Sequence, residues 1–148
     1  MRNTLIDAGP LIALFDRGDR HHLRIKSFLK AYRGHLHTTW PVLTEACHLL
    51  DFSPAAQVHL LEWINRGGIQ IFPPPASSLK RIIALSKKYL DVPMDLADAS
   101  LVVAAEELDI REIISIDRDF FIYRTSNKRP LLNILYSEEF PSGNSPVS

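Results

Sequence analysis

Four carboxylates stand where an isolated charge would be costly. Asp7 interrupts one of the most apolar stretches of the chain, "NTLIDAGPLIALF". An ionised group in such surroundings needs a charge partner, a hydrogen-bond network or water. Asp117 follows the apolar run Ile113-Ile114-Ser115-Ile116 much as Asp7 follows Leu5-Ile6. Asp98 lies in "MDLADASLVVAAEEL". Wound at about 100° per residue, that segment puts Ala97, Leu101, Ala104, Ala105 and Leu108 on one apolar face, with Asp98 between Ala105 and Val102. A solvated aspartate would instead side with Glu106 and Glu107. Glu45, in "WPVLTEACHLLD", borders the apolar arc of Val42, Ala46, Leu49 and Leu50.

Three of the four acids also have a plainer explanation. Asp117 could cap a helix or hold a turn, because Asp117-Arg118-Asp119-Phe120 reads as a strand-to-helix turn. Asp95 suits a helix N-cap, with Asp98 completing a capping box or answering the helix dipole. Glu45 could be an ordinary solvated edge residue. Taken together, several converging carboxylates with no matching basic residue in the same motifs repel each other unless a cation sits among them. Oxygen ligands without cysteine, and without a histidine pair on one helix face, favour magnesium or manganese over zinc. Such an ion could activate a water and stabilise the oxyanion of an in-line phosphoryl displacement.

These acids need a scaffold that brings distant segments to one place. Short apolar runs alternate with longer helical patterns, the signature of a parallel sheet covered by helices. Strands are expected at Thr4 to Ile6, Leu36 to Thr38, Ile69 to Phe72, Ile113 to Ile116 and Leu132 to Leu135. Helices are expected over about 20 to 33, 41 to 51, 54 to 66, 77 to 90 and 95 to 108, with another entered through Gly9-Pro10. Gly67-Gly68 and Pro73-Pro74-Pro75 are breaks. In open parallel sheets, ligands collect at the carboxyl ends of the strands where strand order reverses, and Asp7 is placed there.

Composition limits the alternatives. A chain of 148 residues suits a single domain, with 46% apolar and 23% charged residues as in ordinary globular proteins. The division expected is a domain over 1–140 and a flexible tail over 141–148, where apolar residues are nearly lacking. Seventeen basic residues balance seventeen acidic ones, so any nucleic-acid role must come from local patches. One such patch runs from Arg17 to Arg33, where Arg17, Arg20, Arg24, Lys26, Lys30 and Arg33 face only Asp16 and Asp19. Those cations could hold phosphates or simply solvate a helix opposite Ile25, Phe28, Leu29 and Tyr32. His21 and His22 suit polar contacts at a helix start, and Trp40 and Trp63 suit packing. Cys47, the single cysteine, excludes an internal disulfide, reads as a small buried residue and fits a reducing cytoplasm. No run of about 18 apolar residues indicates a membrane span.

In chain order the four acids and their contexts resemble the PIN domain family, and within it the small VapC-type toxins of bacterial toxin–antitoxin pairs. The resemblance covers about residues 3 to 136 and rests on "LIDAGPLIALFDRGDRHH", "TTWPVLTEACHLL", "DLADASLVVAAEELDI" and "IISIDRDF". It implies a single-domain, three-layer αβα sandwich around a parallel sheet of about five strands. It also implies Mg2+- or Mn2+-dependent endonucleolytic cleavage of RNA, an antitoxin protein partner and a homodimer. Asp7, Glu45, Asp98 and Asp117 match the four acidic catalytic and metal-binding positions: Asp7 and Asp98 as direct ligands, Glu45 as ligand or water-orienting group, Asp117 as outer ligand. Asp95 and Asp119 are neighbours with open roles. Relatives commonly carry serine or threonine after the first aspartate, where this chain has Ala8. A catalytically silent PIN-like module that binds RNA or protein is therefore the alternative. A phospho-acceptor domain fits less well, because the third strand run leads into prolines with no carboxylate.

Overall fold

The computed structural model describes residues 2–92, 94–117, 120 and 122–139. The expected tail over 141–148 and Asp119 lie outside the described residues. The order is β1 (Asn3–Ile6), α1 (Ala8–Phe15), α2 (His22–Ala31), β2 (His35–Thr39), α3 (Trp40–Leu49), α4 (Pro54–Asn65), β3 (Gln70–Phe72), α5 (Ser78–Lys88), α6 (Leu96–Leu108), β4 (Glu112–Ile114), β5 (Leu132–Asn133) and α7 (Ile134–Glu139). The strands form one parallel sheet in the order β3-β2-β1-β4-β5. The chain therefore builds outward from β1 in one direction through β2 and β3, and in the other through β4 and β5. The reversal lies between β1 and β4, whose register pairs Leu5 with Ile113 and Ile6 with Ile114. The Asp7 amide continues that ladder, donating to the Ile114 carbonyl at 3.0 Å.

Helices cover both faces of the sheet to give the three-layer αβα sandwich. Helix α1 packs on α2, α3 and α4, and α6 packs on α3, α5 and β2. Every residue of α6 from Ala97 to Ala105 is buried. Its alanines let neighbouring backbones approach, and a helix apolar nearly all round belongs inside the protein. Its two polar intrusions, Asp98 and Ser100, are both satisfied. The Ser100 hydroxyl donates to the Ala97 carbonyl at 2.7 Å and lies 2.6 Å from the Thr39 hydroxyl, the N-cap of α3. This bond ties α3 to α6 and so fixes where their side chains meet.

Strand and helix order agree with the sequence patterns, with two corrections at the end. The run read as a strand over Leu132 to Leu135 is a strand only through Asn133, and Ile134 and Leu135 open α7. The run Ile113 to Ile116 leaves the ladder after Ile114. One side chain accounts for both. Buried Asn133 accepts from the Ser115 and Leu135 amides at 3.3 Å and donates to the Ser115 carbonyl at 2.7 Å. It replaces ladder bonds with side-chain bonds and caps the turn into α7. Replacing Asn133 by alanine leaves three buried backbone groups short of a partner, and a loss of about 2 kcal/mol or more is expected in denaturant unfolding.

The glycine break after α4 also has a steric cause. Gly67 has φ 94°, and a Cβ on Gly68 would collide with the Trp63 ring.

Candidate active site

The site grows from the carboxyl end of β1. Asp7 caps α1, with Oδ1 accepting from the Ala8 amide at 2.8 Å, while Oδ2 accepts from the Ser115 hydroxyl at 3.0 Å. Ser115 in turn accepts from the Asp117 amide at 3.0 Å and lies 3.2 Å from the Asp117 carbonyl oxygen. One hydroxyl thus fixes the ends of both central strands relative to each other. From the opposite side, α6 delivers Asp98 in its first turn. Asp95 and Asp98 form a reciprocal capping box: Asp95 Oδ1 accepts from the Asp98 amide at 2.8 Å, and Asp98 Oδ2 accepts from the Asp95 amide at 3.4 Å. Asp98 Oδ2 also accepts from the hydroxyl of fully buried Tyr123 at 3.3 Å.

These constraints bring Asp7, Asp98 and Asp117 together. Carboxylate oxygens of all three lie within 4.8 Å of one another, with Asp7 and Asp98 buried and Asp117 exposed. Glu45 stands outside this triad, on α3, and lines the same cleft together with Asp95. The cleft has a volume of about 310 Å³, and among the described residues no lysine or arginine lines it. Capping and inward placement, separate explanations for Asp98 from sequence, therefore hold at once.

The electrostatics follow from burial and crowding. Asp7 is pushed up to about 6, mainly by burial and further by the charges of Glu45 and Asp117, against the Ala8 amide and Ser115 hydroxyl that hold it down. Asp98 is pushed up to about 8, first by burial and then by Asp95 and Asp7. Glu45 is raised by burial, then by Asp95 and Asp117. Acids in this state resist ionising together unless positive charge is supplied. Hard oxygen donors at this spacing, with no lysine or arginine beside them among the described residues, fit a divalent cation of the magnesium or manganese type.

Sequence reasoning passed over Ser115, Tyr123, Thr39 and Ser100. The available signal for Ser115 was a single hydroxyl in an otherwise apolar run, two residues before an aspartate. Tyr123 gave no local signal, since its role depends on contact with a residue on α6. Ser115→Ala is expected to raise the Asp7 pKa further and move any carboxylate-dependent activity to higher pH, measurable as a displaced acid limb of the pH profile.

Other expectations divide. His22 Nδ1 lies 2.7 Å from the Ala13 carbonyl oxygen, a structural contact near the start of α2. Cys47 is half-buried and its thiol is pushed up by burial, which disfavours a nucleophilic role. Trp63 packs against Phe15 with ring centroids 5.6 Å apart. Trp40, expected to pack, is instead 55% exposed. It opens α3 and lines a second groove that shares Glu45 and Asp95 with the acidic cleft.

No protein-family profile and no curated protein sequence matches the chain. The solved structures do contain a likeness: Mycobacterium tuberculosis VapC20, described as a Sarcin-Ricin loop cleaving toxin, superposes with a TM-score of 0.72. The superposition covers 78% of this chain and 91% of that one. The chain shares the fold of that toxin, a PIN-like αβα sandwich. Sequence identity is 17%, so the likeness is one of architecture. In this VapC-type fold the three aspartates occupy the carboxyl edge at the point where strand order reverses, where α/β sheets hold their ligands. Among the described residues, no helix is long and apolar enough to cross a membrane.

Proposed function

We propose that this chain is a divalent-metal-dependent endoribonuclease and the toxin of a toxin–antitoxin pair. The observation that carries this reading is the convergence of Asp7, Asp98 and Asp117 at the switch point of a VapC-type fold. Asp7 and Asp98 would hold the cation from the buried side and Asp117 from the exposed side, and Glu45 would serve as a ligand or orient a water. A magnesium or manganese ion bound there supplies Lewis acidity to a phosphoryl oxygen and neutralises charge that develops in hydrolysis. The Ser115 bond keeps Asp7 from turning away, and the capping box does the same for Asp98. The substrate is RNA presented as a single strand or loop, whose backbone can be splayed into a cleft. An antitoxin protein covers the cleft, the chain associates as a homodimer, and it works in the cytoplasm.

The test is incubation of purified protein with a structured RNA in magnesium, manganese or EDTA, beside Asp7→Asn. Asparagine caps a helix as well as aspartate, so the variant keeps its fold. Metal-dependent cutting that Asp7→Asn loses supports the reading. Absence of cutting by folded wild type under every metal would favour a silent binding module. Ala8 is the observation behind that second reading, for it is buried on the cleft wall and brings no hydroxyl to it. Ala8→Thr is then the variant in which activity should return.

A further inference from the structure

Tyr123 is fully buried, yet it is a tyrosine where packing alone would take a phenylalanine. A hydroxyl taken out of water costs free energy unless a partner meets it. Here it meets a candidate metal ligand, donating to Asp98 Oδ2 at 3.3 Å. The same oxygen accepts from the Asp95 amide at 3.4 Å, while Oδ1 meets no donor among the described residues. The two bonds do different things. The capping box fixes Asp98 relative to its own helix, whereas a contact from another element is needed to fix it relative to Asp7 and Asp117.

The ring that carries this hydroxyl is held from two sides. It stands edge-on to Tyr89 and to Phe120, with centroids 5.1 Å apart in each pair and planes inclined by 67° and 84°. Both of those rings are buried as well. Tyr89, at the end of α5, also accepts from the Arg124 amide through its hydroxyl at 2.9 Å, which pins the residue next to Tyr123. The connection from β4 to β5 therefore serves the site twice. It leaves the sheet through Asp117, the exposed member of the triad, and brings Tyr123 back to Asp98, a buried one. Partners of metal-ligating side chains act in this way, orienting the ligand and tuning its basicity.

We propose that Tyr123 is a positioning residue of the metal site: its hydroxyl, on a ring packed against Tyr89 and Phe120, aims the Asp98 carboxylate at a cation shared with Asp7 and Asp117 and so sets metal affinity. The proposal rests on the reading of these aspartates as metal ligands, and the experiment separates the two. Mn2+ binding to the full-length protein is followed through the EPR signal of the free ion in wild type, Asp98→Asn, Tyr123→Phe and Tyr32→Phe, with thermal unfolding in EDTA as the fold control. Tyr32→Phe removes a hydroxyl that bonds Thr4 near the amino end of β1, away from the aspartates, and should leave Mn2+ affinity as in wild type. Asp98→Asn should lose the binding. Tyr123→Phe keeps the ring and is expected to weaken the binding about tenfold, the lower end of the range for partners of metal ligands.

Wild-type Mn2+ affinity in Tyr123→Phe, with binding lost in Asp98→Asn, overturns the proposal and leaves the metal reading in place, since the hydroxyl then shows itself only in the unfolding temperature. Mn2+ binding that Asp98→Asn retains overturns both. A second measurement needs no substitution at Tyr123. Tyrosine labelled with 13C at Cζ reports on each hydroxyl, and among the four tyrosines the Tyr123 signal is assigned by elimination with Tyr32→Phe, Tyr89→Phe and Tyr136→Phe. Saturating Mg2+ should move that signal, because at 3.3 Å the bond is long for a hydroxyl on a carboxylate and metal loading has room to strengthen it. A Tyr123 signal that Mg2+ leaves unmoved overturns the proposal.

Discussion

Asp98→Asn is expected to make the metal-free protein more stable at pH 8 and, at the same time, to reduce cleavage by about a hundredfold or more. The two effects have one cause. Asp98 is buried, and its carboxyl faces the charges of Asp95, Asp7 and Asp117, which with burial push it up to about 8. At pH 8 the wild type must either ionise that group in a crowded apolar setting or bind a proton that free aspartate would have released. Asparagine removes the dilemma, keeps the size of the side chain, and can still accept from the Tyr123 hydroxyl or the Asp95 amide. The gain should be on the order of a kcal/mol or more, since each pKa unit corresponds to ~1.4 kcal/mol. It should shrink toward pH 5, where the wild-type carboxyl is already protonated. Cleavage moves the other way, because an amide carries no charge with which to hold a cation. Thermal unfolding in EDTA at pH 5 and pH 8, with RNA cleavage in magnesium, reads both. A residue kept only for the capping box would be destabilised by the change or unaffected, and that outcome would remove Asp98 from the site.

The opposition between stability and function also explains why parts of this site were legible in the sequence. Asp7 and Asp98 announce themselves because local rules do not want them: one follows a buried strand directly, the other lies on the core face of a helix. Asp117 and Glu45 violate less, being exposed and half-buried, and they became candidates through company rather than position. The alternation of strands and helices was readable for the same reason that the sheet is parallel, since each crossover needs a helix long enough to show its period. The failures lie where period is absent. "LLNILY" contains no repeat that separates a strand from a helix, and the deciding feature is the bonding of Asn133 to Ser115 and Leu135. Ser115 and Tyr123 were invisible for a related reason. Their value lies in contacts 108 and 25 residues away in the chain, with Asp7 and Asp98 respectively. The basic stretch from Arg17 to Arg33 could be seen, but not that Trp63 from α4 and Arg66 just beyond it would line one groove with Arg17, Lys26 and Lys30.

Metal and protons should compete for the same oxygens, and this gives the second large effect. Both Asp7 and Asp98 have folded-state pKa values above their ordinary value of 3.8, at about 6 and about 8. A group whose pKa is raised on folding binds more protons in the native than in the unfolded state between those limits. Stability therefore falls as pH rises across them. The contribution is fully present below the ordinary carboxyl range and is lost as pH passes through about 6 and then about 8. In EDTA, unfolding temperature should accordingly decline from pH 5 toward pH 9. Magnesium or manganese should reverse the decline, because only the deprotonated triad is a ligand set. At a metal concentration a hundredfold above Kd, binding adds about 2.7 kcal/mol. For a domain of this size that corresponds to roughly 5–10 °C in Tm. The increment should be near zero at pH 5 and grow as pH rises through about 6 and then about 8. In Asp98→Asn both the decline in EDTA and the metal-induced rise should be reduced, since the group that titrates highest is gone. A metal response equal at pH 5 and pH 8, or one retained in full by Asp98→Asn, would place the cation somewhere other than among these aspartates.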